Sequence, residues 1–378
     1  MYDLIDFDFR STLIGPESLR RIVGPLVTYF NSLRAPIDES DSYMIIDPDT
    51  GLPATCCTQI QVAILFALDH LLNDNQNDHV AELLTDNVRQ RQNPNGSFSS
   101  SYNQPLDSPD LQDIAEIGAS ANALFYLYQI TNSEAARDTL LAAAEYVLTQ
   151  VAMENPGAIY KNSKARHVDI LNGDVYAALT LSRAFELTGD DRFLLQTRLV
   201  VNHVQARFGA WSEGWWPYAE TWDGKVAVGA SLAYQATIIA FGMPIGRTLE
   251  PGLRAEWSAI LSTALKTVAQ KLPQGPSDDS EAPSWSRDWA NVWEIPLAFA
   301  QFPYSPYAQD YVRKRLLAVE RGIELAGIET LRPKPLQNNG RTPVTSLYRK
   351  AATFAGFLSD ILLNTSLKTA NSSTDASH

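Results

Sequence analysis

The chain has 378 residues, 45% of them hydrophobic, and a formal net charge of −13 at pH 7. That hydrophobic share is ample for a large core. The acidic balance excludes the basic surface that nucleic acid or an anionic membrane would require.

The two cysteines, Cys56 and Cys57, are adjacent, which rules out a disulfide framework and fits a reducing, cytoplasmic setting. The start, Met1-Tyr2-Asp3-Leu4-Ile5-Asp6-Phe7-Asp8, carries acids where a signal peptide carries bases. No uninterrupted apolar run reaches the roughly 18 residues of a spanning helix, so no integral membrane span is expected.

Strand signals are scarce, and apolar residues recur at three- and four-residue spacing from end to end. About twelve helical segments follow in two alternating sets. One set begins near Pro16, Asn77, Ser133, Asp191, Leu249 and Tyr307. The other begins near Thr55, Pro109, Asp169, Lys225, Ser286 and Thr342, at a period of about 54 to 61 residues. Short turns such as Thr131-Asn132-Ser133 join the second set to the first, making antiparallel hairpins. Longer loops make the return, so they gather on one rim.

The second set is the more apolar and richer in small residues, as in Ile114 to Leu127, and reads as an inner ring. The first is amphipathic, as in Glu134 to Gln150, and reads as an outer ring. The expectation is all-α, a six-fold α/α toroid. Residues 1–367 form its single domain and 368–378 a disordered Ser/Thr/Asn-rich tail. Functional residues belong on the long-loop rim, at the starts of the inner helices.

Two of those loops share a pattern. Gln92-Asn93-Pro94-Asn95-Gly96-Ser97-Phe98 and Gln205-Ala206-Arg207-Phe208-Gly209-Ala210-Trp211 both place Gly, a small residue and an aromatic after Gln. Glycine allows a positive φ at the helix exit. The first loop leads to Asp107-Ser108-Pro109-Asp110-Leu111-Gln112-Asp113, where Ser108 suits a helix N-cap and Pro109 the first helical position. Asp110 and Asp113 then share a helical face.

The loop pattern resembles the QW repeat of squalene and oxidosqualene cyclases and related class II terpene cyclases. Pro109-Asp110-Leu111-Gln112-Asp113-Ile114-Ala115 stands where that family carries its Asp-x-Asp-Asp motif. Gln112 occupies the position of the acid that supplies the proton there, so the resemblance moves proton donation to Asp110 or Asp113, with Asp107 tuning them. It implies metal-independent, proton-initiated cyclisation of a polyprenyl chain, with no cofactor.

Rim aromatics would shield and stabilise a carbocation. Tyr102, Tyr160, Trp211, Trp222, Trp289 and Trp293 are the candidates. The turn Lys161-Asn162-Ser163-Lys164-Ala165-Arg166-His167 concentrates cations in an acidic protein and suits an anion. Lys164, Arg166 and His167 are therefore candidates for an aromatic acid head group on the prenylated substrate.

Metal sites are not expected. The adjacent acids Asp190 and Asp191 fall on the opposite rim, and the five histidines are scattered.

The alternative is a carbohydrate-active toroid: a uronate epimerase, a lyase or a glycoside hydrolase. Such enzymes stack sugars on Trp and use paired carboxylates. Gly214-Trp215-Trp216-Pro217-Tyr218 resembles a Gly-x-Trp-Pro-Tyr segment of uronyl epimerase-like proteins. Asp174, Glu220, Asp223, Asp288 and Glu294 are its candidate acids.

Overall fold

The computed structural model describes residues 13–36, 43–98, 111–272, 293–332 and 346–372. Among these the fold is all-α, of the α/α-toroid class, with twelve α-helices. They are α1 (Pro16–Ser32), α2 (Cys56–Asn73), α3 (Asn77–Arg91), α4 (Ile114–Thr131), α5 (Glu134–Leu148) and α6 (Leu171–Thr188). They continue with α7 (Asp191–Ala206), α8 (Leu232–Ile245), α9 (Pro251–Lys271), α10 (Glu294–Ala300), α11 (Pro306–Ala326) and α12 (Leu347–Ser372). Lys368 to Ser372, assigned by sequence to the tail, continue α12.

The helices fall in two compact units. The first comprises Met1–Arg91, Ala123–Thr139 and Phe299–His378. In it α2 packs on α3 and on α12, and α1 packs on α2 and α11. The second comprises Gln92–Asn122 and Leu140–Ala298. There α6 packs on its hairpin partner α7 and on α8, while α7 also touches α9. In the second unit, then, α6 and α7 each meet the other and the helix two places on.

The burial pattern separates the two sets. Every residue of α6 from Leu171 to Ala184 is buried, polar ones included. In α7 the buried residues are Phe193, Leu194, Gln196, Thr197, Val200, Val201 and Val204, a single stripe. Small residues let the inner helices approach closely. A methyl group on Gly118 of α4 would lie 2.4 Å from Cβ of Tyr176 on α6. The helix α2 has the length and apolarity to cross a membrane, but 83% of that stretch is buried within the protein.

The two glycine loops adopt the expected conformation. Gly96 has φ +86° and Gly209 φ +87°. Gln92 Nε2 donates to the carbonyl of Gly96 at 2.7 Å, closing the loop on its own helix end. Phe98 is buried.

Five short strands and a 3-10 helix, Gly327–Leu331, accompany the α-helices. β1 (Arg34–Pro36) pairs antiparallel with β2 (Tyr43–Ile45). In the second unit, β3 (Val168–Ile170), β4 (Ala219–Thr221) and β5 (Val226–Val228) form a sheet in that order. Asp169 stands opposite Glu220, and Ile170 opposite Ala219. This sheet lies in the long loops and fixes the residues beside it.

Candidate functional site

The starts of α4, α6, α8 and α10, all in the second unit, bring chemistry together on the long-loop rim. The helix α4 begins at Ile114, later than the expected Pro109. Asp113 takes the capping role expected of Ser108, with Oδ1 accepting from the Ala115 N–H at 2.8 Å. Asp113 therefore lies outside the helix rather than on one of its faces. Its Oδ2 accepts from Asn162 Nδ2 at 2.9 Å, and the Ile114 N–H donates to the Lys161 carbonyl at 2.9 Å. The mouth of α4 is therefore stitched to the basic turn.

Lys161 points its ammonium at the Tyr218 hydroxyl, 3.4 Å away, and lies 5.9 Å from the centre of that ring. Burial works against this charge, but the negative charge of Asp113 and the Tyr218 hydroxyl outweigh it, so the ammonium is held above its ordinary range. Tyr218 is set by the sheet: its N–H donates to Val228 and its carbonyl accepts from Leu171. Its ring stacks on Tyr234 of α8, with centres 4.2 Å apart. Burial, then Tyr218, Glu294 and Tyr176, raise Tyr234 far above the ordinary phenol range. The phenol keeps its proton, and Glu294 and Tyr176 are its electrostatic neighbours.

A second group of side chains edges this site. The Arg166 guanidinium lies 4.7 Å over the Tyr160 ring. Tyr160 meets Trp222 edge-on at 5.9 Å, and Trp222 Nε1 donates to the Arg166 carbonyl at 2.9 Å. Lys164 and His167 are exposed on the same turn, and the Lys164 N–H is held by Asn162 Oδ1. Trp211 meets Trp215 edge-on and covers Gly229, away from this cluster in sequence. Trp293 is buried just before α10. Asp107, Asp110, Tyr102, Trp289 and Asp288 lie outside the described residues.

The remaining candidate acids have other duties. Glu220 forms a two-point ion pair with Arg207, at 2.6 and 2.5 Å. Asp223 is exposed, and hydrogen bonds from Lys225 and Thr221 lower it to about 2.

Asp174 belongs to a buried cluster that sequence spacing did not reveal. Asp169 of β3, Asp174 of α6 and His203 of α7 offer ligand atoms within 4.8 Å of one another, a set that a metal ion would fit by type. The hydrogen bonds argue otherwise. Asn155 Oδ1 accepts from the Gly157 N–H, so its amide NH₂ faces His203 Nδ1, 3.0 Å away. The ring proton then sits on Nε2 and is donated to Asp169 Oδ2 at 2.6 Å. A metal-bound imidazole needs the reverse, a free Nε2 lone pair and an acceptor at Nδ1. Asp174 accepts the Ile159 N–H at 2.7 Å. Burial, the adjacent Asp169 charge and a hydrogen bond with that residue hold Asp174 well above the usual carboxyl value. The cluster is a buried carboxyl pair anchored by a histidine.

No family model and no curated protein matches this sequence. Solved structures do. A sugar epimerase from a ruminal bacterium is similar at 9% identity, covering 82% of this chain and 86% of its own, with TM-score 0.59. An unsaturated glucuronyl hydrolase from Bacillus sp. GL1, responsible for glycosaminoglycan degradation, is similar at 13% identity, covering 90% and 95%, with TM-score 0.57. A family 76 glycoside hydrolase from a bovine Bacteroides thetaiotaomicron strain is similar at 10% identity, covering 90% and 76%, with TM-score 0.63.

These likenesses establish the fold, and they overturn the terpene-cyclase resemblance: the neighbours are carbohydrate enzymes. Proton-initiated cyclisation and an apolar prenylated partner fall with it. The physical reason is visible in the site. Lys161, Asn162, Glu294 and the tyrosine hydroxyls make a polar mouth, whereas a carbocation needs a dry one. Asp113 spends both oxygens on holding the helix start and the neighbouring turn. The glycine loop is a way of leaving a helix.

Proposed function

We propose that this protein is a carbohydrate-active enzyme acting on a uronate sugar, with proton transfer at the carbon next to the carboxylate. The Lys161 ammonium beside the Tyr218 hydroxyl is the observation that carries this reading. Removing a proton from C5 of a uronate places negative charge on the carboxylate oxygens. A fixed cation there stabilises the resulting enolate, and more strongly in a partly buried site than in water. Tyr218 is the proton-transfer group next to that cation, and the neutral Tyr234 stacked on it holds its ring in place. Reprotonation at C5 from the opposite face inverts the sugar. Departure of the C4 oxygen with a proton instead cleaves the chain and leaves a C4=C5 double bond. The sugar-enzyme neighbours and the Gly214–Tyr218 segment support the same substrate class.

The test is deuterium incorporation at C5 from heavy water, with the ultraviolet absorbance of the conjugated double bond followed in parallel, over a panel of uronate oligosaccharides. Wild type should show one signal or both. Tyr218→Phe should lose it by about 10² to 10⁴-fold at unchanged melting temperature. Retained activity in Tyr218→Phe, with loss in Asp113→Asn and Glu294→Gln, would assign carboxylate-driven hydrolysis instead.

A further inference from the structure

We infer that Arg166 is a second anion-binding position beside the Lys161–Tyr218 site, so that the substrate is an oligomer carrying an acidic group on two sugars. This rests on the proposed uronate reading of the first site.

Exposed arginines of this acidic protein commonly sit on carboxylates. Arg20 pairs with Glu17, Arg137 with Glu134, Arg192 with Asp190 and Glu145, and Arg332 with Glu329. Among the described residues, Arg166 has no carboxylate at ion-pair distance. It is nevertheless held in place. The Tyr160 face supports the guanidinium, Trp222 buttresses Tyr160, and the indole N–H fixes the Arg166 backbone. The Tyr160 hydroxyl is in turn tied to Glu154 and to the Met153 N–H. An arginine held over an aromatic face, with no carboxylate of the described residues on it, is prepared for two-point binding of a carboxylate or sulfate, because less side-chain freedom remains to be lost.

The position is next to the first site. Asn162 accepts the N–H groups of Lys164 and Ala165, which folds the turn, and donates to Asp113, which anchors it. Tyr146, hydrogen-bonded to Gln112, is raised by burial and feels both the Arg166 and Asp113 charges. Arg166 therefore lies on the Asp113 side of the rim. The half-buried Trp222 adds an apolar ring beside it, of the kind that stacks on a sugar. A monosaccharide held by Lys161 would leave Arg166 idle, whereas a neighbouring acidic sugar would engage it.

Calorimetric titration of the full chain tests this, using galacturonate, mannuronate and glucuronate monomers and the corresponding trimers. Wild type should bind one of the trimers about tenfold or more tighter than its monomer. Arg166→Ala should erase that difference and leave the monomer unchanged, whereas Lys161→Ala should weaken monomer and trimer alike. A trimer affinity untouched in Arg166→Ala, or an equal loss for monomer and trimer, would overturn the second position and leave the first standing. No binding of any uronate to wild type would overturn both readings. Melting temperatures separate lost contacts from lost folding: that of Arg166→Ala, an exposed side chain, should match wild type, and Lys161→Gln serves as a second variant at the half-buried position.

Discussion

Asp174 and Lys161 respond to burial in opposite ways, and both responses are testable. Folded Asp174 keeps its proton to higher pH than the unfolded chain does. Between those two values the native state binds more protons, so stability falls as pH rises. The contribution is fully present below the unfolded value and is lost through the folded one, at about 1.4 kcal/mol per pH unit for one proton. Asp174→Asn keeps an acceptor for Ile159 and gains an N–H for Asp169. Denaturant melts from pH 4 to 8 should therefore show that decline in wild type and a flatter line in the variant. An identical decline in both would place the proton elsewhere in the cluster. Lys161 is the reverse case, a cation kept charged by Asp113 and Tyr218. The sequence showed Lys161 as one of four cations in a turn. It did not show Tyr218 as its partner, because 57 residues separate them and only the sheet joins them. The Asp169–Asp174–His203 cluster was illegible for the same reason, with its histidine on a different helix.

At the scale of the element, periodicity was a sufficient guide to helix type, and least so to helix starts. The all-buried α6 and the striped α7 follow from their apolar patterns. The start of α4 does not, because a Ser-Pro pair has the form of a cap while Asp113, tied to Asn162 and Lys161, is where capping occurs. The glycine loop was legible as geometry. Its close packing was not: a methyl on Gly96 would fall 2.0 Å from the Ala142 carbonyl oxygen, in addition to the strain of a positive φ. Gly96→Ala should cost at least ~2 kcal/mol, read as a lower melting midpoint. A midpoint within error of wild type would mean that the loop yields without disturbing α5. The turn between α2 and α3 offers a polar counterpart. Buried Asp69 accepts N–H groups from Asn73, Asn75 and Asn77, at 2.7, 2.6 and 2.6 Å. Asp69→Ala strands those amides and should destabilise by about 2 kcal/mol. A smaller loss would show that water replaces the carboxylate.

Across the whole molecule, burial predicts where opening begins. In hydrogen exchange, peptides from Leu171 to Ala184 should be the last to exchange and those from the 161–167 turn among the first. An acidic trimer should slow the turn and the 218–222 segment together. Protection of neither by a bound trimer would move the site away from them.

The sequence by itself determined the alternation of buried and striped helices, the all-α class and the rim on which polar groups collect. Those are consequences of periodicity and loop length, which are local. It also carried both functional readings, a cyclase motif and a uronyl segment, with nothing local to choose between them. The fold, shared with solved sugar enzymes, set the cyclase reading aside, and the uronate reading is the proposal built on what remained. A residue's chemistry depends on its neighbours in space: here a three-stranded sheet brings Tyr218 to Lys161, Asp113 is spent on a helix start, and Arg166 lies over the Tyr160 ring.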